Sequence, residues 1–320
     1  MRVTFALSYE KMTRNINRKQ EDIDRLSTAF ATGKRLQAQH DDPLAWSRVM
    51  GLKQDLREFE AFQANINFAR GWNEVTENAL NQLTDALTDA KNIAIDAVDG
   101  LTDRDIHVQA VNGIMKQIEG LAATAYRDRF IFNGLWPTDP SAAEPPFTLQ
   151  VNTTTGDVED VTHNLYSGGS FTPESLQRVE VRVGKNRSLP QTVSTTAREV
   201  FYDDSDAGDP PSNILNCLLD LKTALANGDT AAIQTALGTL DNFQMQLSKV
   251  SATVGSRLAT LETQNNALAN LKIEHQSLIS DTEEADMAEL ITQLSMKQTA
   301  LEVGLRVTSM LNELNLLNFL

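Results

Sequence analysis

FALSYEKMTRNINRKQEDIDRLSTAF, residues 5–30, places Phe5, Tyr9, Met12, Ile16, Lys19, Ile23, Leu26 and Phe30 at alternating spacings of four and three. The same alternation returns near the other end of the chain in Met296, Ala300, Val303, Val307, Met310, Leu314 and Leu317. A mean spacing of about 3.5 residues keeps one narrow apolar stripe turned towards a partner helix, which is the seam of a coiled coil. Termini ordinarily fray. Two well-patterned termini therefore predict pairing, with each other or between molecules.

Working inward, the first helix should span about residues 5–32 and stop at Gly33, a residue that tolerates left-handed backbone. A loop then leads to Asp41-Asp42-Pro43. Asp42 can accept backbone N–H bonds as an N-cap, and Pro43 suits a first helical turn, where its missing N–H is no loss. The stripe that follows, Val49, Leu52, Leu56, Phe59 and Ile66, then Leu80, Leu83, Leu87, Ala90, Ala94 and Ala97, predicts one long helix closing at Asp99-Gly100. Thr102, with Asp105 three residues on, predicts the cap of a third helix carrying Val111, Ile114, Ile118, Leu121 and Ala125.

From about Phe132 to Pro211 the texture changes. Most of the prolines lie here, and alternating segments such as Thr148–Val151 and Val179–Val183 read as strands. Turn-rich runs separate them. After Pro210-Pro211 the helical pattern returns, with Ser212 as the expected cap of a short helix closed by Gly228.

Ile233, Leu240, Leu247, Val254, Leu261, Leu268 and His275 then recur every seven residues. A second row, three positions on, is interrupted by Arg257 and Gln264, polar residues that weaken the seam but can fix its register. Ser280 with Glu283, or Asp281 with Glu284, is the expected cap of the last helix. The fold class is mainly α: long antiparallel coiled-coil helices from both termini with a small β-rich inserted domain. The divisions fall at 1–134 for the N-terminal helices, 135–211 for the surface-exposed insert, and 212–320 for the C-terminal helices that pair with the N-terminal ones.

Composition narrows the function. With 28 basic against 43 acidic residues the net charge is -15, so a nucleic-acid partner would meet repulsion from its phosphates. No apolar run is long enough to cross a bilayer, and the N-terminus lacks the apolar core of a cleavable secretion signal. The single Cys217 lies on an apolar helical face and reads as a packing residue. His40, His107, His163 and His275 have no metal-binding spacing and no nucleophile motif beside them. The acidic run Asp203–Asp209 resembles a calcium loop, but the twelfth position from Asp204 is Leu215 where a glutamate is required. Asn152-Thr153-Thr154 and Asn186-Arg187-Ser188 match a glycosylation pattern that occurs often by chance. No catalytic constellation, cofactor site or metal site is expected.

Arg25-Leu26-Ser27, Ala31-Thr32-Gly33-Lys34-Arg35-Leu36 and Asp41-Asp42-Pro43, together with Ala285–Leu290 and Leu314–Leu320, resemble the two terminal signatures of the bacterial flagellin family. Within that family, Arg129-Phe130-Ile131-Phe132-Asn133-Gly134 resembles the members placed between hook and filament, departing from many relatives at Asn133, where they carry glycine. The resemblance covers about residues 1–135 and 212–320. It implies a non-enzymatic structural subunit, exported unfolded through the flagellar apparatus to an extracellular position at the hook–filament junction. The implied partners are copies of itself in a ring, the first hook-associated protein, the filament flagellin, and an export chaperone on the C-terminal helices. A filament flagellin is the nearest alternative, and a secreted adhesin or enzyme with flagellin-like ends a more distant one.

The resemblance further implies that the terminal helices pair on assembly, with Phe5, Tyr9, Met12, Ile16, Ile23 and Leu26 meeting Val303, Val307, Met310, Leu314 and Leu317. Burying one such side chain contributes about 1.5–3 kcal/mol, so several together outweigh the entropy of ordering the ends.

Overall fold

Helical periodicity dominates both halves of the computed structural model, which describes residues 2–98, 104–135, 144–167, 170–185, 191–203 and 211–317. Contacts divide the chain into two compact units. The first comprises Met1–Phe59 with Ala269–Leu320, the second Glu60–Leu268.

The first unit holds α1 (Arg2–Thr32), the opening of α2 (Pro43–Val98), the close of α6 (Thr230–Glu283) and α7 (Met287–Leu317). Gly33 turns the chain out of α1 with φ of 70°, a left-handed conformation that a Cβ would penalise. Asp42 caps α2 as its chemistry requires: its Oδ1 accepts the amides of Leu44 and Ala45 at 3.1 and 3.0 Å. α7 is capped by Asp286, whose Oδ1 accepts the amides of Ala288 and Glu289 at 2.9 and 3.2 Å. This corrects the expected cap at Ser280 or Asp281. Both residues lie inside α6, and the Ser280 carbonyl accepts the Glu284 amide within the helix at 2.9 Å.

In the second unit, the seven-residue row of α6 is buried from Ile233 through Leu268. Facing it in composition, the α2 residues Ile66, Leu80, Leu83, Leu87, Ala90 and Ala94 are each at most 1% exposed. Lys91 of α2 pairs with Asp241 of α6, and Gln244 donates to Thr88 at 2.9 Å, so the two helices run antiparallel here. α3 (Arg104–Ala122) packs on α5 (Ile214–Asn227), and both rest on a hairpin. Asn213, not Ser212, caps α5, since its side chain accepts the Asn216 amide at 2.9 Å. The expected Thr102 cap of α3 and the acidic run from Asp204 onward lie outside the described residues, as does Asn186.

Among the described residues, four short antiparallel hairpins supply the β structure. They are β1 (Ala125–Tyr126) with β2 (Arg129–Phe130), β3 (Phe147–Val151) with β4 (Val158–His163), β5 (Tyr166–Ser167) with β6 (Ser170–Phe171), and β7 (Glu180–Val181) with β8 (Gln191–Thr192). Only β3–β4 is long enough to show alternation, with Phe147 and Leu149 buried and Thr148 and Gln150 exposed. The insert is held by rings rather than by sheet area. Phe132, Phe147 and Phe201 are fully buried and meet edge to face at 5.2–5.3 Å, and Tyr202, just past the one-turn helix α4 (Ala197–Phe201), joins Phe171 at 4.8 Å.

Candidate assembly interface

α1 and α7 pack against each other within the single chain. Lys19 donates from Nζ to the carbonyl of Ala300 at 3.0 Å, and Lys297 Nζ meets Asp22 Oδ2 at 2.6 Å. These two bonds fix an antiparallel register. Continued along both helices, that register sets Ile16 beside Val303 and Met12 beside Val307. The pairing that the sequence deferred to assembly is thus already present in one copy. Small residues on α7, Ser295, Ala300 and Gly304, let the helices come close and leave a groove of about 680 Å³ floored by Met12 and walled by Val303 and Val307.

The sequence-derived residues fall into three sets. Ile23 is buried, and Met12, Ile16 and Leu26 are half-buried in the helix pair. Val303, Val307 and Met310 remain 54, 42 and 62% exposed, joined on α7 by Met296 at 60%. Phe5, Tyr9, Leu314 and Leu317 lie on α1 and α7, but their side chains fall outside the described residues. One stripe of α7 is therefore only partly consumed by α1.

Beside this pair, the turn after α1 is joined to the turn after α6 through the backbone. The amides of Arg35 and Leu36 both donate to the Glu283 carbonyl, at 2.8 and 3.4 Å, and the Ala285 amide donates to the Gly33 carbonyl at 3.0 Å. Arg35 adds a side-chain bond to the Thr282 carbonyl at 3.0 Å, and Leu36 seals the turn at 2% exposure. The Glu283 side chain is buried between two ammonium groups, Lys34 at 2.7 Å and Lys53 at 2.9 Å. Burial alone would raise its pKa, but the two lysines outweigh that effect and hold it below the ordinary glutamate value.

The loop itself is organised by Asp41. Its carboxylate accepts the amides of Ala38 and Gln37 at 3.0 Å and meets Arg25 at 2.6 Å. Those backbone bonds, aided by Arg25, draw the carboxyl below its usual range. Arg25, Gly33, Arg35, Leu36, Asp41 and Asp42 thus have structural employment, which is why they stand together as a signature. Sequence reading named Lys34 in a signature and Glu283 as a cap partner, but not Lys53 or the contact among the three, because a three-group contact across distant segments leaves no local period. Asp286 carried a usable signal: Glu289 follows it at capping-box spacing.

Among the described residues, no group of three His, Cys, Asp or Glu side chains could hold a metal ion, and no helix is long and apolar enough to cross a membrane. His275 packs against Phe59 in a tilted arrangement with ring centroids 5.0 Å apart. Cys217 is buried, and burial, with Asp220 nearby, pushes its thiol pKa up to about 12. A thiol so shifted is a poor nucleophile.

Residues 4–136 match the bacterial flagellin N-terminal helical region, and residues 237–320 match the C-terminal helical region of the same family. Flagellar hook-associated protein 3 of Escherichia coli is 25% identical over 99% of this chain and 98% of its own length. Among solved structures, FlgL of Bacillus cereus is similar with a TM-score of 0.54 and 20% identity, covering 72% of this chain and 98% of that one. The flagellar junction protein FlgL of Legionella pneumophila is similar with a TM-score of 0.54 and 15% identity, covering 74% of this chain and 100% of that one. The turn residues and helix stripes derived above occupy the segments that these matches span at both ends, and the chain belongs to the bacterial flagellin family.

Proposed function

We propose that this chain, a structural protein of the flagellum, forms the ring between hook and filament. The observation that carries this reading is the α7 stripe Met296, Val303, Val307 and Met310, which stays exposed after α1 has packed. Apolar side chains in such a row cost about 25 cal/mol per Å² of apolar surface left in water, and stacking α1–α7 pairs side by side in a ring buries them. Whole-length similarity to a hook-associated protein 3 supports the position in the flagellum. In this reading the neighbours are copies of the chain, the first hook-associated protein on one side and filament flagellin on the other. Before export, a chaperone covers the C-terminal helices, and in the assembled state the insert, residues 135–211, faces outward.

Immunogold electron microscopy of detached flagella, with antibody raised against the insert, tests it. A single band at the hook end is expected. Label along the whole filament would identify a filament flagellin instead, and no label would leave a secreted protein with flagellin-like ends.

A further inference from the structure

Within the second unit, α6 and the segment from Thr195 to Asp203 enclose a cavity of about 620 Å³. Three cations, Arg178, Lys249 and Arg257, and two carboxylates, Glu199 and Asp203, line it. Glu199 is already committed: Oε1 takes Arg178, and Oε2 accepts the Thr196 amide at 3.1 Å. Arg257 is half-buried and donates from Nη1 to two neutral acceptors, the Ser194 carbonyl at 3.1 Å and Thr195 Oγ1 at 3.2 Å. Neither Arg257 nor Lys249 forms an ion pair among the described residues. Burial, and then the like charge of Arg178, lower the Arg257 pKa, with Glu199 opposing.

A guanidinium in this position has spare donors in a planar fork, a geometry matched by a carboxylate. A partly desolvated cation whose nearest carboxylate, Glu199, is already bound to Arg178 is also costly, so a ligand carboxylate offsets an expense only partly met in the free chain. At the rim, Met245 is 65% exposed and offers an apolar contact for a short aliphatic arm.

We propose that this cavity receives the aspartate or glutamate side chain of a second copy of the chain. Charge selects that occupant. Each copy carries a net charge of -15, with 43 acidic residues, so copies standing side by side repel unless acidic groups of one are met by fixed cations of the next. The proposal rests on the ring reading only in requiring copies to be neighbours.

The test uses full chain in equal parts of light and heavy isotope-labelled protein, treated with a carbodiimide. This reagent condenses an amine with a carboxylate, eliminating water and leaving no spacer. The expected product joins the Lys249 amine of one copy to a carboxylate of another, giving a mixed-isotope cross-linked peptide. Arg257→Gln should lower the mixed-isotope dimer about tenfold, as loss of one charge-assisted bond implies. Lys249→Glu, at an exposed position where folding is indifferent to charge, should lower it comparably. Links confined to single copies, or a dimer yield untouched by Lys249→Glu, would overturn the proposal. If a junction band forms in flagella yet no mixed cross-link does, the cavity proposal falls alone. If the cross-link forms and no band does, the ring reading falls and the cavity stands.

Discussion

Glu283 at the close of α6 meets Lys53 of α2 at 2.9 Å, and its second ammonium partner, Lys34, comes from the turn after α1. One carboxylate therefore ties three segments that the sequence keeps far apart. Because Lys34 and Lys53 remain 49 and 33% exposed, water takes up part of their charge when the partner is lost. Glu283→Gln should cost about 1–3 kcal/mol, below the roughly 3–5 kcal/mol for breaking a fully buried pair. The pH sign follows from a depressed carboxyl: its stabilisation is complete above the ordinary value of 4.5 and is lost as pH falls through the lower folded-state value. The protection of the Arg35 and Leu36 amides, which donate to the Glu283 carbonyl, from hydrogen exchange relative to the intrinsic rate should fall in the variant at neutral pH and in the parent only in acid.

Gly71 lies within α2, where alanine would ordinarily add about 1 kcal/mol of helix stability. Here a Cβ would stand 2.4 Å from the Tyr126 hydroxyl. Tyr126 cannot easily withdraw, because Phe68 and Trp72 pack on its ring and Arg127 lies over it at 5.5 Å. The clash outweighs propensity, and Gly71→Ala should destabilise the second unit by about 1–2 kcal/mol in urea unfolding. A gain in stability would show that the β1–β2 hairpin yields freely.

His163 Nδ1 lies 3.0 Å from the Tyr202 hydroxyl, inside the ring cluster of the insert. Burial lowers its pKa from 6.5, with Asp160 opposing. A histidine favoured in its neutral form stabilises the fold fully above 6.5, and that contribution declines as pH falls towards the folded-state value. The near-ultraviolet circular dichroism of the tyrosines should weaken in thermal melts run at pH below this point, and His163→Phe should remove the dependence.

Val303→Asp combined with Val307→Asp places two charges on the exposed α7 stripe. Since the two residues are still 54 and 42% exposed but also border the α1 side of the pair, stability of the single chain should fall by no more than about 1–2 kcal/mol. Incorporation into flagella should fall at least tenfold, because the variant forfeits the burial of two apolar side chains, each of which contributes about 1.5 kcal/mol or more. Normal incorporation of the double variant would mean that assembly uses another face.

Periodicity made the helices legible: a seven-residue row such as Ile233 to Leu268 needs no distant information to be read. The Asp42 cap was legible for the same reason, since its partners are two and three residues away. The Asp286 cap was hidden by earlier residues of the same type, Ser280 and Asp281, that satisfied the same local rule. The ring cluster Phe132, Phe147, Phe171, Phe201 and Tyr202 could not be read, because its members come from separate short segments whose meeting depends on the chain path. The candidate interface divided likewise. Its apolar rows were visible, whereas the fraction of each row left over after α1 and α7 meet is a property of three-dimensional packing.

The bond from Arg35 to the Thr282 carbonyl spans 247 residues of sequence. A chain that leaves a ribosome N-terminus first carries its opening helix exposed until nearly nine-tenths of the polypeptide has followed. Closing so large a loop is entropically slow. The fastening between the two turns is consequently a late event in folding.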